Sequence, residues 1–138
     1  MTALNTTSTS RLQNYEVCKE VFVVTLANAL NIGETWTIAP IAKGAQILDV
    51  LVVSPAVASS TVSVGDTGSA TRYLNAVSSA SAGYLAVNTN TAITAGAVTA
   101  GRGYTYAAND SLVLTVGGAN LSASTSLAVI VEFRRLLA

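Results

Sequence analysis

The chain has 138 residues, enough for one domain around one core. Only 10% of them are charged, against about 25% in a typical globular domain, and the net charge is zero. A neutral surface argues against nucleic acid as a partner, because phosphate binding needs cationic groups. A surface this poor in charge also associates readily, so much of the outside is expected to lie against other subunits.

The absence of histidine removes Ser-His-Asp and Cys-His nucleophilic sites and histidine-ligated metals. The single cysteine, Cys18, excludes an intrachain disulfide and a cysteine-cluster metal site. Beside Lys19 it reads as a small, half-buried thiol at a strand start. No cofactor is expected. Residues 1–10 lack the basic and apolar regions of a secretory signal. No run approaches the roughly 18 apolar residues of a membrane helix, so no membrane partner is expected and the chain reads as a soluble-type protein made in a cytoplasm.

Taken in order, residues 1–15 read as an extended N-terminal arm and residues 16–138 as one β-sandwich domain. The arm is rich in Thr, Ser and Asn and too poor in apolar groups to offset its ordering entropy alone. It is either a loose tail or an arm that orders on a partner. Val21-Phe22-Val23-Val24-Thr25-Leu26 is the first strand, rich in β-branched residues. After a turn at Asn31-Ile32-Gly33-Glu34 comes Thr35-Trp36-Thr37-Ile38, with Trp36 and Ile38 on one face and Pro40 ending the strand. Lys43-Gly44 makes the next turn.

Residues 47–53 are the most apolar run. Strict alternation puts Leu48, Val50 and Val52 on one face and Ile47, Asp49, Leu51 and Val53 on the other. Both faces are mostly apolar, which predicts a central strand covered on both sides. Asp49 then needs an edge or a partner such as Arg72, since a buried unpaired carboxylate is costly. Residues 61–65 form a short strand and Arg72-Tyr73-Leu74 the next. Weak strands are expected near residues 84–87 and 91–93, then Tyr104-Thr105-Tyr106 with both rings on one face. Residues 111–116 alternate with Leu112, Leu114 and Val116 inward. Residues 126–133 do the same with Leu127, Val129, Val131 and Phe133 inward and Ile130 outward. About eight short strands with turns between them and no 3.6-residue period predict an all-β fold: a single antiparallel β-sandwich or jelly-roll-like barrel.

The stretch with most chemistry is Ser63-Val64-Gly65-Asp66-Thr67-Gly68-Ser69-Ala70-Thr71-Arg72-Tyr73-Leu74. Asp66-Thr67-Gly68 is the tripeptide of an aspartic protease, in which two aspartates share a proton and activate a water. A homodimeric protease using Asp66 is therefore an alternative, with residues 112–117 as a flanking strand. Ser63-Val64-Gly65 matches that family's apolar strand poorly, and Arg72 is placed to form an ion pair that keeps Asp66 ionised. The structural reading is a tight turn in which Gly65 and Gly68 take positive φ, Asp66 and Thr67 bond local amides, and Asp66 or Asp49 pairs with Arg72. No catalytic, cofactor-binding or metal residue is assigned. Asp49, Asp66, Asp110 and Glu132 lack the spacing of a calcium loop. Gly65-x-x-Gly68 and Gly101-x-Gly103 lack the ending of a phosphate loop. Tyr73, Tyr84, Tyr104 and Tyr106 could stack on a sugar, though strand tyrosines more often sit at interfaces or core edges.

The run Ile38-Ala39-Pro40-Ile41-Ala42-Lys43-Gly44-Ala45-Gln46-Ile47-Leu48-Asp49-Val50, then Val64-Gly65-Asp66 and Arg72-Tyr73-Leu74, resembles a pattern of small structural proteins of tailed bacteriophages. Gly103-Tyr104-Thr105-Tyr106, Asn109-Asp110 and Leu112-Val113-Leu114-Thr115-Val116-Gly117-Gly118 are similar to its later half. The resemblance spans residues 21–133 and points to the capsid decoration, or cement, type. It implies a non-enzymatic virion protein on the capsid exterior whose partners are the major capsid protein and itself, as a symmetric homo-oligomer such as a trimer. The interface residues expected on that basis are Thr2, Leu4, Arg11, Leu12 and Tyr15 of the arm, and Ile130 on the outer face of the last strand. A tail, neck or fibre component is the alternative within the virion.

Overall fold

The computed structural model describes residues 15–79, 83–86 and 104–136. They form eight strands: β1 (Tyr15–Thr25), β2 (Thr35–Ile41), β3 (Gln46–Ser54), β4 (Thr61–Gly65), β5 (Leu74–Ser78), β6 (Gly83–Ala86), β7 (Asp110–Gly117) and β8 (Ser126–Leu136). Every pairing is antiparallel: β1 with β8, β2 with β7, β3 with β6 and β4 with β5. That is one long hairpin whose tip lies between β4 and β5. Rolling it up sets β3 against β8 and β4 against β7. The products are two four-stranded sheets, ordered β1-β8-β3-β6 and β2-β7-β4-β5. This is a jelly roll, an all-β sandwich as the strand spacing predicts.

The core fills the space between the sheets with alternate residues of each strand. Val50, Val52, Leu127, Val129 and Val131 come from one sheet, and Val62, Val64, Leu112, Leu114 and Val116 from the other. Each such side chain contributes about 1.5–3 kcal/mol by leaving water, so small aliphatic residues suffice without many aromatics.

Three irregularities set which residues face the core. In β3, Ile47 opposes Phe133 and Asp49 opposes Glu132, so Leu48 is an extra, bulged residue. The bulge shifts the phase by one position. Ile47 therefore joins Val50 and Val52 in the core, in place of Leu48. The other face of β3 is not buried as the alternation predicts: Val53 is exposed and Leu51 half-buried. In β2, Ile38 is the extra residue between Thr37 and Ala39. Trp36 and Ile38 pack against the core as their alternation predicts, and the bulge then turns Pro40 outward and Ile41 inward. The strand runs through Pro40 instead of ending there, because β2 is an edge strand where a missing N–H costs no ladder bond. In β5 the extra residue lies between Leu74 and Val77, where Ala76 takes φ 47° and its N–H donates to Ser63 Oγ at 2.9 Å.

Other boundaries move for similar reasons. β1 starts at Tyr15, because β8 continues to Leu136 and supplies a partner for the whole length. Tyr15 thus belongs to the sheet and not to the arm. Arg72 and Tyr73 lie in the hairpin tip, and β5 starts at Leu74. Tyr104-Thr105-Tyr106 is not a strand: only Thr105 bridges, to Gln46. The weak strand near residues 84–87 is β6, and residues 91–93 lie outside the described residues.

Candidate functional site

The tip of the rolled hairpin, residues 66–73, holds the buried charged groups of the described residues, Asp66 and Arg72. Its turn closes locally, with Asp66 N–H donating to Ser69 O at 2.9 Å and Tyr73 N–H to Val64 O at 2.9 Å. Gly65 is required here for space and not for positive φ. A Cβ on it would lie 2.0 Å from Ser69 O and 2.5 Å from the carbonyl carbon of Ala70. Gly68 is not required: its Cβ would meet Asp66 Oδ1 at 3.5 Å, an ordinary contact, and its φ is not positive.

Asp66 is buried and saturated. Its Oδ1 accepts from Gly68 N–H at 3.0 Å, Ser69 N–H at 2.7 Å and Arg72 Nη2 at 3.3 Å. Its Oδ2 accepts from Arg72 Nε and from the Tyr106 hydroxyl at 2.8 Å. Five donors occupy a carboxylate with about four lone-pair sites. Because the Tyr106 proton goes to Asp66, the Tyr73 hydroxyl donates to Tyr106, 2.6 Å away. Burial raises the pKa of both phenols, and the nearby Asp66 charge raises it further. Burial alone would lower the Arg72 pKa, but the hydrogen bond and charge of Asp66 outweigh it and hold the guanidinium above its ordinary value. The Arg72 guanidinium also lies 3.6 Å from the centroid of the Tyr104 ring, which meets Tyr106 edge-on at 5.0 Å.

The cluster ties three parts of the chain together. Residues 104–109 dock on the β2–β3 turn, with Tyr106 N–H donating to Ala45 O at 3.0 Å and Lys43 N–H to Asn109 Oδ1 at 2.9 Å. From there Tyr106 reaches the tip. A second link joins the tip to the start of β7: Thr67 Oγ1 donates to Asp110 Oδ1 at 2.6 Å and Thr67 N–H at 3.2 Å. Burial acts to raise the Asp110 pKa, but the Thr67 hydroxyl and the Ser111 and Thr67 amides hold it below the ordinary value.

Of the two carboxylates offered for Arg72, Asp66 takes the guanidinium. Asp49 lies on β3 in the other sheet, opposite Glu132, and accepts from Val50 N–H at 3.0 Å. An aspartate that activates water must sit open to a cleft. Asp66 is enclosed by protein donors, so the tripeptide serves a turn here. Tyr73 and Tyr106 are buried, which removes these two from a sugar-stacking groove, and Arg72 covers one face of the half-buried Tyr104 ring. Among the described residues no group of three His, Cys, Asp or Glu side chains could hold a metal ion. No helix of the described residues is long and apolar enough to cross a membrane.

A cleft of about 280 Å³ opens between the sheets at the edge strands β1 and β2. Phe22, Ile41, Leu112 and Phe133 line it, with the exposed Glu20 and Arg135 among its walls. Arg135 is held by Glu16 at 2.7 Å. Cys18 is half-buried on β1. Of the expected interface residues, Ile130 stands half-buried on β8 and Tyr15 opens β1, while Thr2, Leu4, Arg11 and Leu12 lie outside the described residues. The sequence reading missed the Tyr73–Tyr106–Asp66 chain, because no local spacing brings positions 33 and 40 residues apart together.

No protein-family model matches the sequence, and no curated protein matches it. Solved structures do. A chain of the cyanophage Pam1 capsid asymmetric unit superposes with a TM-score of 0.63 at 22% identity, covering 88% of this chain and 86% of that one. A chain of the Ralstonia phage GP4 capsid gives 0.63 at 15% identity, covering 86% and 83%. A chain of the acidic stable capsid of Helicobacter pylori bacteriophage KHP30 gives 0.52 at 15% identity, covering 88% and 93%. These likenesses establish a shared fold.

Proposed function

We propose that this chain is a structural protein of a bacteriophage virion and, within it, a capsid decoration protein that binds the lattice of the major capsid protein. The observation that carries the reading is the agreement of the jelly roll, over most of both chains, with chains of phage capsids. The molecule's own chemistry supports it. Its buried polar groups are spent on holding the fold, and its surface is poor in charge. Binding would rest on many modest contacts repeated over a symmetric lattice, where multivalency makes the sum large. The arm would supply Thr2, Leu4, Arg11 and Leu12 to a capsid subunit or a sister copy, and Tyr15 and Ile130 would join them from the sheet.

The test is the stoichiometry of purified virions together with binding of purified protein to capsids lacking it. A decoration protein is present in numbers comparable to the lattice positions of the major capsid protein and rebinds to saturation. A count limited to a few copies per particle, with no rebinding, would assign the chain to the tail, neck or fibres instead.

A further inference from the structure

Among the described residues, Val17, Val21, Val23, Ile32 and Val53 are the large apolar side chains left exposed, at 62%, 58%, 69%, 57% and 38%. All but Ile32 lie on the outer face of the β1-β8-β3-β6 sheet. The ladders order that face into rows. Val23, Ala128 and Val53 form one row, and Val21, Ile130 and Leu51 the next. β6 widens the sheet at these two rows, with Tyr84 opposite Val53 and Ala86 opposite Leu51. On one side of the apolar rows lies Lys19–Glu132–Asp49, with Lys19 3.9 Å from Glu132, and beyond it Val17–Arg134–Gln46. On the other side Thr25 and Ser126 place their hydroxyls 2.9 Å apart.

This is an apolar centre with a polar rim, the anatomy of a protein interface. The charges of the face cancel, with Lys19 and Arg134 against Glu132 and Asp49. From strand rise and spacing the face measures on the order of 700 Å², close to the roughly 800 Å² each partner contributes to a stable interface. It is also compatible with itself. A two-fold axis in the interface plane, across the strands between the Val21 and Val23 rows, lays each apolar row on the other. The same axis sets the Lys19–Glu132–Asp49 row of one copy over the Thr25–Ser126 row of its partner, so like charges do not meet.

We infer that the outer face of the β1-β8-β3-β6 sheet packs on the same face of a second copy, as two stacked sheets about a two-fold axis. The pair is a dimer, in place of the trimer that the family resemblance suggests. The inference deepens the expectation of self-association and stands apart from capsid binding, because it is read on the isolated protein.

Sedimentation velocity of the purified full-length protein over a range of concentrations tests it. The expected result is a dimer that Val21→Lys or Ile130→Lys weakens by about 30-fold or more. Ile32→Lys, off the face, should leave it intact. Circular dichroism and the thermal midpoint show that each variant folds, and Val23→Thr gives a milder change should a lysine impair folding. A monomer at every concentration, a trimer, or a dimer indifferent to both substitutions overturns the inference. So does Val21→Lys that abolishes capsid binding and leaves the dimer unchanged, because the face would then belong to the lattice.

Discussion

At the scale of single residues, Asp66 and Arg72 form one unit with the two tyrosines. Removing one member of a buried ion pair leaves the other charge uncompensated. Asp66→Asn is therefore expected to cost about 3–5 kcal/mol in urea unfolding, and Arg72→Met a similar amount. The double substitution should cost clearly less than the sum, because it leaves no orphaned charge. Strict additivity would show that the two groups act independently. The glycines of the same loop separate as sharply. Gly65→Ala forces a Cβ into the Ser69–Ala70 backbone and should cost about 1–3 kcal/mol. Gly68→Ala should stay within about 0.5 kcal/mol. Equal effects would contradict the packing account of Gly65.

At the scale of elements, the segment 104–109 is clasped to the hairpin tip through Tyr106 and to the β2–β3 turn through its backbone. Tyr73 and Tyr106 are neutral donors in this clasp, with pKa values raised by burial. The unfolded chain ionises its phenols near pH 10, while the folded chain resists. Their contribution to stability is thus complete below about pH 10 and is lost as pH climbs from there toward the folded values. Of the five tyrosines, these two should form phenolate only together with loss of near-ultraviolet circular dichroism. Five phenols titrating near pH 10 in a fold that stays intact would contradict the clasp. The arm gives a second test. β1 starts at Tyr15, so deletion of residues 1–14 should leave the thermal midpoint unchanged and lower capsid affinity at least about tenfold, as losing one of two linked contacts does. Unchanged affinity would remove the arm from the proposed interface.

Strand existence was legible in the sequence because alternation and β-branched runs are local signals. Phase and ends were not. The bulge at Leu48 exchanges Ile47 for Leu48 in the core, and no local pattern marks it, since both are apolar. Pro40 reads as a stop unless the strand is known to lie at a sheet edge. Arg72 was legible as a partner for an aspartate six positions away. Tyr106 reaches the same carboxylate across 40 residues, and only the rolled topology brings it there. Val21 and Val23 were legible only as part of a β-branched strand, because which face of β1 meets solvent depends on β8 and β3.

At the scale of the whole molecule, the pairing of first strand with last, second with seventh and so inward sets β1 and β8 side by side in one sheet. That sheet carries most of the exposed large apolar groups among the described residues, and residues 1–14 precede its edge strand β1 in the sequence. The tip at the far end of the hairpin holds the buried polar network instead. The tip thus fixes the roll, and in the proposed account the outer face of the β1-β8-β3-β6 sheet meets a partner. A chain with so little charge is expected to associate readily. The most direct measurement is an icosahedral reconstruction of capsids lacking this protein after incubation with the purified chain. Saturable new density of this jelly roll is expected at symmetry-related positions on the outer surface. Capsids that stay bare at saturating protein, while the same protein is found at the tail vertex of virions, would contradict it.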